Sequence, residues 1–240
     1  MNILITGGAS GLGEAITRIL AKDLNNRVYF TFKNSEANAK KIELEFPNAI
    51  SIPCDFGDTV ALKLFTDKII QFDLDVLIHN AYNGVFLKSH FHKISPADFL
   101  SDFKENILPV IEITQAALSG FRNKKKGKII TVLTAALVSA PPIGSSVYVA
   151  NKAYLEELTK VWANENAKFN ITSNSVSPSF MQTSLTATFD DRMLDQMIES
   201  HPLKKLLTVE EVAETVHFLV HASKQINGIN ILLNAGATIK

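Results

Sequence analysis

The strongest constraint on what this chain can fold into is a glycine-spaced turn close to its start. Asn2-Ile3-Leu4-Ile5 is a short apolar run that reads as a buried strand, and it passes straight into Thr6-Gly7-Gly8-Ala9-Ser10-Gly11-Leu12-Gly13-Glu14. An apolar-periodic stretch through Leu24 predicts a helix after it. Gly7, Gly11 and Gly13 then fall in a Gly-x-x-x-Gly-x-Gly spacing. A strand, a glycine turn and a helix in that order present backbone N–H groups and the positive end of a helix to a pyrophosphate. The glycines permit a tight turn, close approach of phosphate, and close packing of helix on sheet. Gly7, Ser10, Gly11, Leu12 and Gly13 are therefore candidate cofactor-binding residues.

The rest of the chain alternates in the same way. Strand-like runs cover Arg27–Phe32, Ala49–Pro53, Leu74–His79, Lys128–Leu133, Ile171–Val176 and Gly228–Leu233. Helical patterns cover Ser35–Phe46, Asp58–Phe72, Pro96–Leu118, Tyr148–Ala167 and Val209–Ala222. Strand–helix alternation without a composition break predicts an α/β fold, a Rossmann-type doubly wound parallel sheet flanked by helices. A length of 240 residues suits one domain. Within it we expect a dinucleotide-binding half over roughly residues 1–127 and a catalytic and substrate part over roughly 128–240. Lys and Arg number 24 and Asp and Glu 24, so net charge offers no case for nucleic acid or a membrane surface as partner. Cys54 is the only cysteine, which excludes an intramolecular disulfide and suggests a cytoplasmic chain. No apolar run is long enough to span a bilayer, and no metal-spaced His/Cys cluster is present. A first strand beginning at Met1 suggests no targeting peptide, and an end at Lys240 suggests no appended domain.

Tyr148 and Lys152 lie four residues apart in Tyr148-Val149-Ala150-Asn151-Lys152. On a helix that spacing puts phenol and ammonium on one face. A free phenol has a pKa of about 10 and is a poor acid or base near neutrality. A cation about 4 Å away, at an effective dielectric of about 20, favours phenolate by roughly 4 kcal/mol, or about 3 pKa units. Desolvation opposes part of that shift.

In order along the chain, the Thr6–Gly13 turn, Asp55, Asn80-Ala81, Asn106, Tyr148/Lys152, Pro178-Ser179 with Thr183, and Asn234-Ala235-Gly236 resemble the short-chain dehydrogenase/reductase family. The likeness is greatest to its 3-oxoacyl-[acyl carrier protein] reductases and covers essentially the whole chain. The resemblance implies that Tyr148 gives a proton to a carbonyl oxygen as hydride arrives from nicotinamide. It implies that Lys152 lowers the tyrosine pKa and bonds the nicotinamide ribose, and that Asn106 holds a water linking Lys152 to solvent. It places Asp55 at the adenine amine, Asn80 and Ala81 along the ribose, and the Met181 backbone and Thr183 at the carboxamide. Two residues depart from the pattern: Tyr82 and Ser179 stand where the family has glycine.

Cofactor choice is read just after the second strand, where a carboxylate favours NAD and a cation accommodates the extra phosphate of NADP. Here the chain reads Phe32-Lys33-Asn34-Ser35. Lys33, with Asn34 and Ser35 as donors, points to NADP(H).

The family also uses a serine, thirteen residues before the tyrosine, to polarise the carbonyl; that count lands on Ala135, which cannot donate. Counting along the strand from Gly127 places Thr134 there instead. The two counts differ by one residue, which an insertion in the Ala140–Ser146 loop absorbs, since sheet register is fixed and loops lengthen cheaply. We assign the hydroxyl to Thr134, with Ser139 and Ser145 as alternates.

The resemblance implies reduction of a ketone by NADPH, a 3-oxoacyl thioester being the family's example, with the stretch Leu185–Ser200 as a substrate lid. An acyl carrier protein, the partner that the resemblance implies, is acidic, and Lys124, Lys125, Lys126 and Lys128, with Lys168, offer a basic patch for it. The other reading is a non-catalytic or weakly active NADP-binding partner subunit. By family analogy the long helices would build a homotetramer or dimer.

Overall fold

Alternation of side chains along short apolar strands sorts the core into two layers. In β1 (Asn2–Ile5), Ile3 and Ile5 pack into one layer and Leu4 into the other, as a repeat of two requires. In β4 (Val76–His79), Val76 and Ile78 oppose Leu77; in β5 (Gly127–Val132), Ile130 and Val132 oppose Ile129. A computed structural model describes residues 1–183 and 191–238.

The remaining strands are β2 (Arg27–Phe32), β3 (Ala49–Pro53), β6 (Ile171–Pro178) and β7 (Asn230–Leu233). All pair in parallel, in the order β3-β2-β1-β4-β5-β6-β7. The order reverses between β1 and β4, and the crevice outside the strand ends at such a point is where open α/β sheets bind ligands.

Helices α1 (Gly11–Ala21), α2 (Glu36–Glu45) and α8 (Val209–His221) cover the first layer. Helices α3 (Thr59–Ile69), α5 (Leu108–Lys124) and α6 (Ser146–Asn166) cover the second, where Phe65, Phe121 and Trp162 fill the space under the sheet. Burying each such side chain stabilises the fold by about 1.5–3 kcal/mol.

One expected element divides. Pro96–Leu118 is two helices, α4 (Pro96–Asn106) and α5, not one. Pro109 has no N–H to give the Glu105 carbonyl, so the helical ladder is interrupted there. α4 itself starts cleanly, with Pro96 at its first turn and a reciprocal Ser95–Asp98 capping box. The break leaves Asn106 at a helix end that faces the crevice. Most other boundaries fall within two residues of expectation, with Ile70–Phe72 winding on as a 3₁₀ turn. Of the expected lid Leu185–Ser200, residues 185 to 190 lie outside the described residues, and Asp191–Ser200 forms α7. Among the described residues, no helix is long and apolar enough to cross a membrane, and no group of three His, Cys, Asp or Glu could hold a metal.

Candidate active site

A cavity of about 520 Å³ runs along the carboxyl ends of the strands. Its wall includes every residue the sequence singles out for cofactor or catalysis: Gly7, Ser10, Gly11, Leu12, Gly13, Lys33, Asp55, Asn80, Ala81, Asn106, Thr134, Tyr148, Lys152, Met181 and Thr183.

At one end the wall is backbone. Gly7 has φ +67°, a conformation side chains rarely adopt. A Cβ on Gly13 would lie 1.9 Å from the Gly7 carbonyl oxygen and 2.6 Å from Asn80 Nδ2. Only glycine lets α1 approach the turn that closely. Thr6 and Asn80 brace the turn: Thr6 Oγ1 accepts from the backbone N–H groups of Asn80 and Ala81 at 3.0 and 3.1 Å. Asn80 Nδ2 donates to the carbonyls of Thr6 and Gly7, both at 3.1 Å. Thr31 holds it from the other side, accepting from Gly7 N–H at 3.0 Å. Ser10, at the helix N-cap, is exposed and its side chain caps nothing. The first turn of α1 thus keeps unsatisfied donors directed at the cavity, which fits a dinucleotide phosphate.

Lys33 follows β2 into the cavity wall, where its Nζ lies 3.0 Å from Asp55 Oδ2. Both side chains are about two-fifths exposed, and the ion pair holds the Asp55 carboxyl below its ordinary range. The two residues were expected to serve separate parts of a nucleotide; they meet each other across the ends of β2 and β3.

At the other end the wall is side chains. Sheet register runs without slip through β5 and β6, with Val132 opposite Val176 and Leu133 N–H donating to the Val176 carbonyl at 2.8 Å. The next residue is Thr134; its hydroxyl accepts from Ala136 N–H at 3.3 Å and lies near enough to the Tyr148 phenol to oppose the rise in its pKa. The count along the strand, rather than the count back from the tyrosine, therefore finds the hydroxyl beside the phenol. Ser139 and Ser145 are occupied elsewhere, donating to the carbonyls of Ala135 at 3.2 Å and Pro142 at 2.7 Å.

Tyr148 and Lys152 share a face of α6 and are both buried. Lys152 Nζ donates to the Val132 carbonyl at 2.8 Å and lies 5.7 Å from the centre of the Tyr148 ring. The expected fall in the tyrosine pKa is not found. Burial pushes the Tyr148 phenol up to about 12, with the nearby Thr134 hydroxyl working the other way. Burial pushes Lys152 down to about 8. Desolvation outweighs attraction because the ammonium sits beyond hydrogen-bond reach of the ring and is itself stripped of water.

Asn106 is committed to its neighbours. Its Oδ1 accepts from Asn83 N–H at 2.6 Å, and its Nδ2 donates to the Asn83 carbonyl at 2.9 Å and to Asp102 Oδ1 at 3.1 Å. It ties the turn after β4 to α4, with no direct bond to Lys152. Sequence reasoning missed two wall or support residues here, Phe86 and Asp102. Tyr82, already marked as a bulky residue where a glycine is the rule, also lines the wall.

The lysine run lies at the wrong end of the sheet for the cavity. Lys124 and Lys126 pair with Asp75 just before β4, at 3.4 and 3.1 Å. Lys128, at the start of β5, donates to the carbonyls of Val220 and Ala222 that end α8, at 2.8 and 2.6 Å. These charges are spent on the fold at the amino ends of the strands, while the cavity opens at the carboxyl ends.

Known proteins share this architecture. A family model described as enoyl-(acyl carrier protein) reductase matches residues 7–238. The 3-oxoacyl-[acyl-carrier-protein] reductase FabG of Staphylococcus epidermidis is 30% identical over 240 residues, covering 97% of each chain. The 2,3-dihydro-2,3-dihydroxybenzoate dehydrogenase of Bacillus subtilis is 28% identical over 250 residues, covering 98% of this chain and 95% of that protein. A short-chain dehydrogenase from Burkholderia cenocepacia, solved in complex with NADP, superposes with a TM-score of 0.85 at 27% identity, covering 98% of this chain and 97% of that one.

Proposed function

The chain belongs to the short-chain dehydrogenase/reductase family, and from that premise we propose that it reduces a ketone to a secondary alcohol at the expense of NADPH, with Tyr148 as the proton donor. The observation that carries this reading is the grouping of Tyr148, Thr134 and Lys152 at one end of a cavity whose other end is an uncapped, glycine-lined helix start.

Bound NADPH supplies the hydride that the carbonyl carbon receives. The residues supply the rest. The turn from Gly7 to Gly13 and the free donors of α1 would hold phosphate; Lys33, Asn34 and Ser35 would hold the ribose phosphate; Asp55 would hold adenine. The nearby Burkholderia relative, named as an NADP complex, supports that choice. The Met181 backbone and Thr183 would orient the carboxamide. Tyr148 passes its proton to the carbonyl oxygen as the C–H bond forms, while the Thr134 hydroxyl donates to the same oxygen. A phenol raised by burial is fully protonated at neutral pH, as a donor must be. Lys152, cationic below about 8, stabilises the phenolate left behind. Asn106 holds the turn after β4 and, by the family resemblance, would hold the water that links Lys152 to solvent.

A 3-oxoacyl thioester is the substrate class that the likeness to the Staphylococcus protein supports. The dihydroxybenzoate relative shows that proteins this similar also act on ring compounds, so the test is a panel. Delivery on an acyl carrier protein would dock around the cavity mouth, not on Lys124–Lys128. The partner-subunit reading rests on the departures at Tyr82 and Ser179; the hydroxyl of Thr134 beside Tyr148, with Lys152 on the same helix face, argues against it. Leu100, Tyr154 and Val161 are exposed on α4 and α6, which suits self-association through those helices.

The experiment is NADPH oxidation with simple ketones, an acetoacetyl thioester and a cyclic ketone. Turnover of at least one, with NADPH preferred over NADH, is expected. NADPH binding without turnover on any of them would refute the enzyme reading.

A further inference from the structure

Asp102 is a carboxylate buried beside the cavity, its side chain 3% exposed. Such a group is costly unless donors surround it. Here one oxygen, Oδ1, accepts from Tyr82 Oη at 3.0 Å, Asn106 Nδ2 at 3.1 Å and Asn151 Nδ2 at 2.8 Å. Lys88 Nζ lies 3.6 Å from the other oxygen. The donors come from the turn after β4, from α4 and from α6, so a single carboxylate ties together three segments that meet at Tyr148.

Tyr82 carries that fixation into the cavity. Its ring meets the Tyr148 ring edge to face, with centres 5.0 Å apart and planes at 85°. Lys152 Nζ stands 5.6 Å from the Tyr82 ring centre, so one aromatic ring touches the phenol and faces the ammonium together. Phe86 closes on Tyr148 from a second direction, again at 5.0 Å and near perpendicular. The turn is pressed over this arrangement: a Cβ on Gly84 would come within 3.1 Å of the Tyr82 ring and 3.3 Å of Asp102 Oδ2. Burial and the adjacent carboxylate push the Tyr82 phenol far up, so it stays a donor to Asp102.

We propose that Tyr82, anchored by Asp102, is a positioning residue that holds the Tyr148 phenol and the Lys152 ammonium in the geometry for proton transfer. The inference rests on the reading of Tyr148 as proton donor given above. A glycine at this place leaves the phenol without that wall. In this chain the ring replaces empty space, and the buried carboxylate keeps the ring from turning.

The variants separate anchor from ring. Tyr82→Phe keeps the ring and removes only the hydroxyl that reaches Asp102; Tyr82→Leu removes the ring. Steady-state kinetics with the best ketone of the panel, NADPH affinity by fluorescence and the solvent isotope effect on kcat are measured for each. Tyr82→Phe should lower kcat by about tenfold and Tyr82→Leu by about a hundredfold, the range that ångström-scale misplacement of a reacting group produces. NADPH affinity should stay the same, and the solvent isotope effect should grow as proton transfer becomes limiting. In a double-mutant cycle, Asp102→Asn and Tyr82→Phe should be non-additive. A merely structural tyrosine would lower the melting temperature and leave kcat and the isotope effect of the folded protein alone. That result, with Tyr148→Phe inactive, overturns the positioning role while the proton-donor reading survives. If wild type and Tyr148→Phe behave alike, the proton-donor reading falls first and takes this inference with it.

Discussion

The two ends of the cavity are built from different materials. At the turn end, function is carried by backbone: glycines that no Cβ could replace and helix donors left open. At the Tyr148 end the wall is built by side chains from α4, α6 and the turns after β4 and β5, brought together over separations of 20 to 49 residues. The difference teaches where each kind of site is vulnerable. A backbone site is lost when anything is added to it. A side-chain site is lost when one group is removed or turned.

Among variants that keep Tyr148, removing the Thr134 hydroxyl should have the largest effect. Thr134→Ala is expected to cost about 2–4 kcal/mol of transition-state stabilisation, with Thr134→Ser close to wild type, measured as kcat/KM. If Thr134→Ala keeps full activity, Thr134 is only a packing residue. Adding a methyl at the turn end comes next. Gly13→Ala, whose new Cβ would meet the Gly7 carbonyl, should destabilise the fold by about 1–3 kcal/mol and weaken NADPH binding, read by thermal melting and fluorescence. Tolerance of that methyl would show that the close approach is not needed.

How far each end is legible in the sequence follows from the same contrast. A glycine advertises its reason locally, so Gly7 and Gly13 could be read from a dozen residues. Thr134 was legible because strand register continues into it, whereas the fixed distance from Tyr148 misleads by the length of a loop. Asp102 was not legible: on α4 it resembles any surface carboxylate, and its three donors lie far away in the chain. The α4–α5 break had a plain signal in Pro109. The direction of the Tyr148 shift was missed because pair electrostatics can be read from spacing, while burial cannot.

Lys33 sharpens the comparison at the cofactor end. Lys33→Glu should reverse the preference for NADP over NAD by about tenfold or more, equal to at least ~1.4 kcal/mol, in the ratio of kcat/KM values. An unaltered ratio would leave Lys33 as no more than the ion-pair partner of Asp55.

Acidity gives the mildest test. Lys152 loses its proton near pH 8, so ketone reduction should decline as pH rises through about 8, while Tyr148, at about 12, stays a competent donor. Stability carries a separate signature. His79 is buried beneath the site, bonded to Thr114 Oγ1 at 2.8 Å, and burial pushes it down to about 3 from the ordinary 6.5. Between those values the unfolded chain binds a proton that the native one does not, so stability should rise with pH across about 3 to 6.5. Denaturant melts of wild type and His79→Gln across that window would expose the contribution, and identical pH slopes would refute it.

The most direct test of the whole account is the rate of ketone reduction by Tyr148→Phe, with NADPH affinity measured on the same sample. The account predicts normal binding and a loss of about 10²- to 10⁴-fold in kcat, the range for removing a positioned proton donor. Wild-type turnover by the phenylalanine variant would contradict it.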